Sequence, residues 1–364
     1  MAEHSEVVIV GGGIIGTSAA FHLAEAGVQV TLVERGELAS GTSGSAAGIA
    51  RAYFPGEPHK TALAIRSVQA YRGFAERTGG DAEVSEAGFL FPLTEKHQVA
   101  DFHAEADSHR MLGVDLRLLT PEQAVERNPL LDGERILAAA WSPDAVTCNA
   151  SDAVHGYALA AQKMGADIRT RTPVIRIDPE TGRVDTDSGP ITADAIVLAA
   201  GYWSRELAAG AGLGLPITPQ PEELLFTDPL PEPPSVAMTL DATGGLRMRG
   251  IGNRLMVGMH IPQGGESRDA WMQRLATALA TICPPLSGVG LNSAWFGVEE
   301  LAPDMAPFLG VHPGPTRLIY ATGFSGHGLS QAPCAGEIVR DLYLESESSV
   351  DLRRFSATRF TQVA

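Results

Sequence analysis

The sequence predicts an α/β protein, α+β overall. A parallel-sheet nucleotide domain is assembled from separate stretches, and a mainly antiparallel β-sheet domain is inserted into it. Three observations carry this expectation. The chain opens with an apolar strand, a glycine-rich turn, a helix and a second apolar strand, a βαβ unit of about 30 residues. Further βα pieces return in mid-chain and near the C-terminus, separated by segments richer in short strands. No internal repeat or low-complexity tract interrupts them.

Taken in order, Val7 to Val10 is a continuous apolar run of the kind buried parallel strands show. Helical periodicity runs from Ile14 to Ala26 and stops at Gly27; Val28 to Val33 is the second strand, ending at Glu34. "EPHKTALAIRSVQAYRGFAERTGG" reads as one long helix closed by Gly79 and Gly80. Residues 81–145 mix short strands with polar helices. "SDAVHGYALAAQKMGADIRTRTPVIRID" reads as a helix and then strands, and "ITADAIVLAAGYWSREL" as a buried strand entering a glycine turn. Pro216 to Pro234 is proline-rich and reads as a crossing between domains. "LRMRGIGNRLMVGMHI" predicts a hairpin turning at Gly250 to Asn253. "DAWMQRLATALATICPPL" predicts a helix stopped by Pro284, and "RLIYATGFSGHGLS" a strand, a glycine turn and the last helix. The expected division is 1–80, 146–215 and 305–364 for the nucleotide domain, and 81–145 and 216–304 for the substrate domain.

The 364 residues suffice for about two domains, and 44% of them are hydrophobic. A formal net charge of −16 argues against nucleic acid or an anionic membrane as the main partner. It leaves a small anionic substrate open, because one local arginine overrides a distant field. Cys148, Cys283 and Cys334 are too scattered for a disulfide framework or a zinc pattern, so no metal is expected. The N-terminal "MAEHSE" lacks the basic region of a signal peptide, and no apolar run reaches the ~20 residues of a membrane span. The expected location is the cytoplasm, without membrane insertion.

Gly11-x-Gly13-x-x-Gly16 lies between a predicted strand and a predicted helix. Gly11 permits the tight turn, Gly13 lets a pyrophosphate approach the backbone, and Gly16 lets helix and strand pack closely. Glu34, at the end of the second strand, suits both ribose hydroxyls and disfavours a 2′-phosphate. This Rossmann-type unit points to FAD or NAD rather than NADP. "ASGTSGSAAGIAR" follows, either as a wrap around a second part of the ligand or as a surface loop; Arg51 at its end has the fork that suits a carboxylate. "GFSGHG", Gly323 to Gly328, brings glycines to the entrance of the last helix, whose N–H groups and partial positive charge favour an electron-rich ligand atom.

In order along the chain, the Gly11-to-Glu34 fingerprint, "GTSGSAAGIAR", "IVLAAGYWS", "WFGVEELAPDMAPFLG" and "GFSGHGLSQAP" give a resemblance to the D-amino-acid oxidase superfamily. The likeness is to its sarcosine oxidase and glycine oxidase branch. It covers nearly the whole chain, most loosely at 81–145 and 216–290. It implies a non-covalent FAD that transfers a hydride from the carbon of a C–N bond to flavin N5. The substrate is then a small amine or amino acid, with oxygen or another acceptor reoxidising the flavin. The FAD positions it implies are Gly11, Gly13, Ile14, Ile15 and Gly16; Glu34 and Arg35; Thr42, Ser43, Gly48 and Ile49; and Val174, Ala200, Gly201 and Trp203. Near the C-terminus they are Gly323, Ser325, Gly326, His327, Gly328, Leu329 and Ser330. The resemblance also puts Arg51 where a substrate carboxylate is held, and His260 where relatives keep a histidine near flavin and substrate. His327 either touches the flavin or braces the turn through a side-chain hydrogen bond. Arg247 and Arg249 share one strand face, directed at the site or at solvent.

The departures are specific. Gly297 replaces the cysteine that bonds the flavin in monomeric sarcosine oxidases. Met256 and Ser330 replace two lysines, one of which promotes the oxygen reaction. Leu246 replaces an aromatic residue that closes the site. Two further readings stay open: the flavin subunit of a heteromeric dehydrogenase passing electrons to a partner, and a non-catalytic flavin-binding protein. A homo-oligomer is equally open.

Overall fold

The computed structural model of the chain describes residues 3–261, 266–312 and 317–360. The expected segment ends at residues 1 and 364 lie outside the described residues. The first strand, Glu3–Val10, is buried from Val7 onward and pairs in parallel with Val30–Val33 and with Gly189–Leu198. Val30–Val33 pairs in parallel with Asp167–Arg169, and the end of Gly189–Leu198 with Arg317–Thr322. All five parallel strands therefore deliver their carboxyl ends to one edge, where open α/β sheets bind ligands. The antiparallel strands Val174–Asp178, Arg183–Thr186 and Phe308–His312 complete this eight-stranded sheet.

The second sheet also has eight strands, in the order 291–301, 218–227, 254–258, 247–251, 238–240, 89–93, 138–142, 117–119. Its pairs are antiparallel except for Met238–Leu240 against Phe89–Leu93. Alternation divides its faces. Leu225, Leu246, Met248, Leu255, Val257 and Met259 pack on one face with Trp271, Leu275 and Leu279 of the helix Arg268–Ile282. The opposite face carries Glu222, Arg247, His260 and Glu299 towards the first sheet. A third, three-stranded sheet ties Ile49–Arg51 and Ser85–Glu86 to Ala145–Thr147.

The structure departs from the sequence reading at several points. Residues 58–78 form two helices, Pro58–Arg72 and Phe74–Thr78, broken at Gly73. The proline-rich segment is not connection throughout: the chain has reached the second sheet by Thr218, and Thr218–Thr227 is a strand inside it. Its prolines are tolerated because Pro219 and Pro221 pair only with the 291–301 strand, whereas the 254–258 strand joins at Leu225 and Phe226. The two positions share one parity, which turns the edge lacking a donor away from the ladder. The hairpin turn is confined to Gly252 and Asn253, since Ile251 pairs with Arg254.

The last helix, Gly328–Tyr343, packs against Ile14–Glu25 and holds Pro333 in its interior. Proline cannot donate to the carbonyl four residues back, that of Leu329. The buried Tyr71 hydroxyl donates to that carbonyl instead, at 2.9 Å. Gly336 lets the two helices touch, because a Cβ there would lie 2.3 Å from Ser18 Oγ and 2.7 Å from its carbonyl carbon. Gly336→Ala is expected to destabilise the fold by about 1–3 kcal/mol through overpacking. Thermal unfolding of the purified protein should show a lowered midpoint; an unchanged midpoint would mean the helices separate freely.

Candidate active site

The nucleotide end is built from backbone proximity. Gly11, at φ +116°, leaves no room for a side chain: a Cβ would lie 2.3 Å from the Ala199 carbonyl oxygen. Gly16 is pressed on Gly11, its Cβ position 2.0 Å from the Gly11 oxygen, so it serves the helix–strand contact and does not line the cleft. Gly13 differs, because a Cβ there would meet only Ser43 Oγ at 3.1 Å. Ser43 Oγ accepts the Ile14 N–H at 3.0 Å, which fixes the 42–45 turn over the start of the helix. Glu34 accepts the N–H groups of Gly12 and Gly36, each at 2.7 Å. The Arg35 guanidinium stacks 4.6 Å from the Trp203 ring centre.

A cavity of about 960 Å³ runs from this turn to the second sheet. Of the residues expected at the cofactor, Gly11, Gly13, Ile14, Ile15, Glu34, Arg35, Thr42, Ser43, Gly48, Ile49, Val174, Ala200, Gly201 and Trp203 line it. So do Ser325, Gly326, His327, Gly328, Leu329 and Ser330. Gly16 and Gly323 do not; Gly323 makes the turn at φ +71°, where a Cβ would strike the Phe308 ring.

Arg51, His260 and Arg247 open on the same cavity. Arg51 is only 9% exposed. Its Nη1 donates to the Tyr53 carbonyl, and its guanidinium lies 4.0, 5.0 and 5.3 Å from the ring centres of Phe54, Phe89 and Phe91. No carboxylate among the described residues pairs with it, and burial pushes the guanidinium down to about 9. The Arg51 N–H donates to Ser330 Oγ at 3.2 Å, which joins this strand to the last helix.

His327 does not brace the glycine turn by a hydrogen bond, as one alternative held. Its Nδ1 has no partner among the described residues, and the ring meets Phe54 edge-on at 4.9 Å. Burial, with Arg51, Lys60 and Arg247 nearby, holds it well below the usual imidazole range, so it is neutral. Ser325 does the bracing: its Oγ accepts the Ala302 N–H at 3.0 Å and donates to the Gly323 carbonyl at 3.1 Å.

Arg247 and Arg249 share a face but not a role. Arg247 donates to Glu222 at 2.7 Å, whereas Arg249 donates to the Gly48 carbonyl, just before the Ile49–Arg51 strand, at 2.8 Å. Neither forms a solvated face. Met256 is buried and lies outside the cleft lining. Leu246 belongs to the apolar core on the far face, so it is not at a site-closing position.

The second sheet adds three carboxyls to the cleft, Glu222, Glu299 and Glu300, that the sequence reading does not identify, and Glu206 lines it as well. Glu222 accepts from Arg247 and, at 2.8 Å, from His260 Nδ1, which directs His260 Nε2 away from that contact. Glu299 and Glu300 are both pushed up to about 7, chiefly by burial, Glu299 further by Glu222 and Glu300 further by Glu299. The signal for the last two was present in "WFGVEELAP": adjacent acids in an apolar strand are costly unless paired or used. Glu222 was missed because its strand was read as a crossing.

A family model described as FAD dependent oxidoreductase matches residues 6–342. The chain belongs to that family. It is 30% identical to the glycine oxidase of Geobacillus kaustophilus, over 99% of this chain and 98% of that protein. It is 28% identical to the mitochondrial dimethylglycine dehydrogenase of Mus musculus over 98% of this chain, and spans 44% of that longer protein. The crystal structure of L-proline dehydrogenase from P. horikoshii matches with a TM-score of 0.89 at 26% identity, covering 100% of this chain and 99% of that one.

The chain is thus an FAD-dependent oxidoreductase, and its residues fit the cofactor. Gly13 leaves free the space a pyrophosphate needs, the helix N-terminus supplies unpaired donors, Glu34 stands at the ribose position, and the cavity is at the upper end of the ~300–1,000 Å³ range of ligand sites. Gly13→Val separates ligand from fold. Its side chain meets little protein, so the chain should fold normally, yet be purified colourless. Retained flavin absorbance in this variant would show that the pyrophosphate lies elsewhere.

Proposed function

We propose that this oxidoreductase oxidises the C–N bond of a small amino acid or N-alkyl amino acid. The observation that carries the reading is Arg51, a buried cation opening on the cleft with no carboxylate among the described residues to neutralise it. A substrate carboxylate completes it bidentately. That contact, with Phe89 as a wall and Phe54 packed on the guanidinium, orients the substrate carbon towards the glycine turn at Gly326. When bound, FAD supplies the two-electron acceptor that takes a hydride from that carbon. The substrate nitrogen must lose its proton first, and the resulting imine hydrolyses in water. Neutral His327 forms part of the wall without adding a charge.

FAD attachment without a covalent bond is part of the same reading. Gly297 offers no nucleophile, and the three free cysteines, all buried, lie outside the cleft lining. Acid precipitation should release FAD into the supernatant; colour retained in the pellet would contradict this.

A second reading, a flavin-bearing unit that hands electrons to a partner protein or segment, is favoured by one observation: the chain spans 44% of dimethylglycine dehydrogenase. It predicts turnover of the isolated chain with a dye but slow reoxidation by oxygen. Buried reduced thiols support a cytoplasmic location.

Arg51→Ala is expected to raise the apparent Kd of carboxylate substrates by about 30- to 1000-fold, the equivalent of roughly 2–4 kcal/mol for a charge-assisted bidentate contact. Binding of the decarboxylated amine should change little. Anaerobic flavin reduction across both substrate types measures this, and equal loss for both would remove Arg51 as the carboxylate anchor.

A further inference from the structure

The proposed oxidation leaves one charge of the substrate unassigned. An amino acid enters as a zwitterion, and Arg51 answers only its carboxylate. The opposite charge in the cleft resides on the second sheet. Antiparallel register sets Glu222 opposite Gly297 and Gln220 opposite Glu299, so Glu222 and Glu299 are diagonal neighbours on one face. Glu222 is already ion-paired with Arg247 at 2.7 Å and hydrogen-bonded by His260 Nδ1 at 2.8 Å. Glu299 forms no ion pair or hydrogen bond with another described residue. Its carboxyl is held against the glycine turn, with oxygens 2.6 and 2.8 Å from where a Cβ on Gly326 would stand, and it lines the cavity with Arg51 and His327. Only glycine at 326 admits it there. Where the second sheet meets the glycine turn, Arg51 and Glu299 are thus a cation and a carboxyl without an ion-pair partner among the described residues.

We propose that Glu299 receives the substrate's ammonium group: its carboxylate accepts an N–H from the nitrogen and takes the proton that must leave before oxidation. The inference rests on the reading above, that the substrate is an amino acid anchored at Arg51. The step balances within the pair. One N–H bond of the ammonium breaks, one O–H bond forms on Glu299, and a neutral amine with its lone pair remains. Selectivity follows from the charge. A carboxylate bearing a cationic nitrogen is preferred over one bearing a neutral carbon of the same shape.

The ionisation of Glu299 sets the pH range. Burial, and then Glu222, push its carboxyl up to about 7, while Arg247 opposes them. Of the other groups lining the cleft, Glu300 on the same strand is likewise raised, His260 is bonded to Glu222, His327 is neutral, Arg51 has no carboxylate partner among the described residues, and Glu34, Arg35, Arg176 and Glu206 line it as well. Below neutrality Glu299 is protonated and offers no attraction to a cation; above neutrality it is an anion and does.

The test uses the FAD-loaded protein and two unreactive isosteres, betaine (trimethylglycine) and 3,3-dimethylbutyrate, followed by the perturbation of flavin absorbance. Above neutrality the wild type should bind betaine at least about tenfold more tightly, the scale of a charge–charge attraction at a partly shielded site, since the trimethylammonium has no N–H to donate. That preference should vanish in Glu299→Gln, which keeps the side-chain size, with 3,3-dimethylbutyrate affinity nearly unchanged. In the wild type alone, the preference should fall as pH is lowered through neutrality. A preference that persists in Glu299→Gln, or one independent of pH, overturns the role of Glu299 and leaves the Arg51 anchor standing. Failure of both isosteres to bind removes the carboxylate anchor and this inference with it.

Discussion

The constraint on which the site depends is a guanidinium taken out of water without a carboxylate to meet it. Arg51 is held by one carbonyl and three aromatic rings, which supply cation–π contacts but no neutralising charge. Such an arrangement is expensive in a substrate-free protein and relaxes when an anion arrives. Phe54 links it to the rest: the same ring faces Arg51 at 4.0 Å and meets His327 at 4.9 Å. Through Ser330 the Arg51 backbone is tied to the last helix as well. The carboxylate anchor and the glycine turn thus belong to one rigid cluster, which fixes the substrate carbon relative to the cofactor space.

Two sheets meet across the cleft with different duties. The parallel sheet brings five strand ends and two helix N-termini to one edge, where backbone donors and glycine gaps suit a dinucleotide. The second sheet is two-faced: apolar residues bury against the helix Arg268–Ile282, and the alternate residues present acids and arginines to the cleft. Charge is organised across that face by pairing. Glu222 pairs with Arg247 and accepts from His260, and partial burial pushes the carboxyls of Glu299 and Glu300 up to about 7.

Much of this was legible in the sequence, for physical reasons. Gly11, Gly13 and Glu34 are readable because a strand-turn-helix that admits a pyrophosphate tolerates few alternatives. Arg51 and the Gly323–Gly328 turn are legible as sites for a carboxylate and for an electron-rich atom, but their specific partners come from the resemblance, since neither an arginine nor a glycine cluster states its partner by itself. The misreadings have one source, the dependence of local meaning on long-range pairing. Pro219 and Pro221 look like a linker until the 291–301 strand is seen beside them. Leu246 and Arg247 differ by one residue and so face opposite sides of the sheet, a register no single-strand reading supplies. Arg249 shares the parity of Arg247 but is captured by the Gly48 carbonyl. Tyr71 completes the broken ladder of a helix 258 positions away, a contact with no local signature.

The account's central claim is that the cleft recognises a carboxylate-bearing amine. It is tested most directly by anaerobic titration of the wild-type holoprotein with matched pairs: glycine and methylamine, sarcosine and dimethylamine, proline and pyrrolidine. The account predicts that the oxidised flavin band is lost with at least one amino acid and persists with its decarboxylated partner at the same concentration. Equal bleaching by an amine and its amino acid, or bleaching by amines alone, would contradict it.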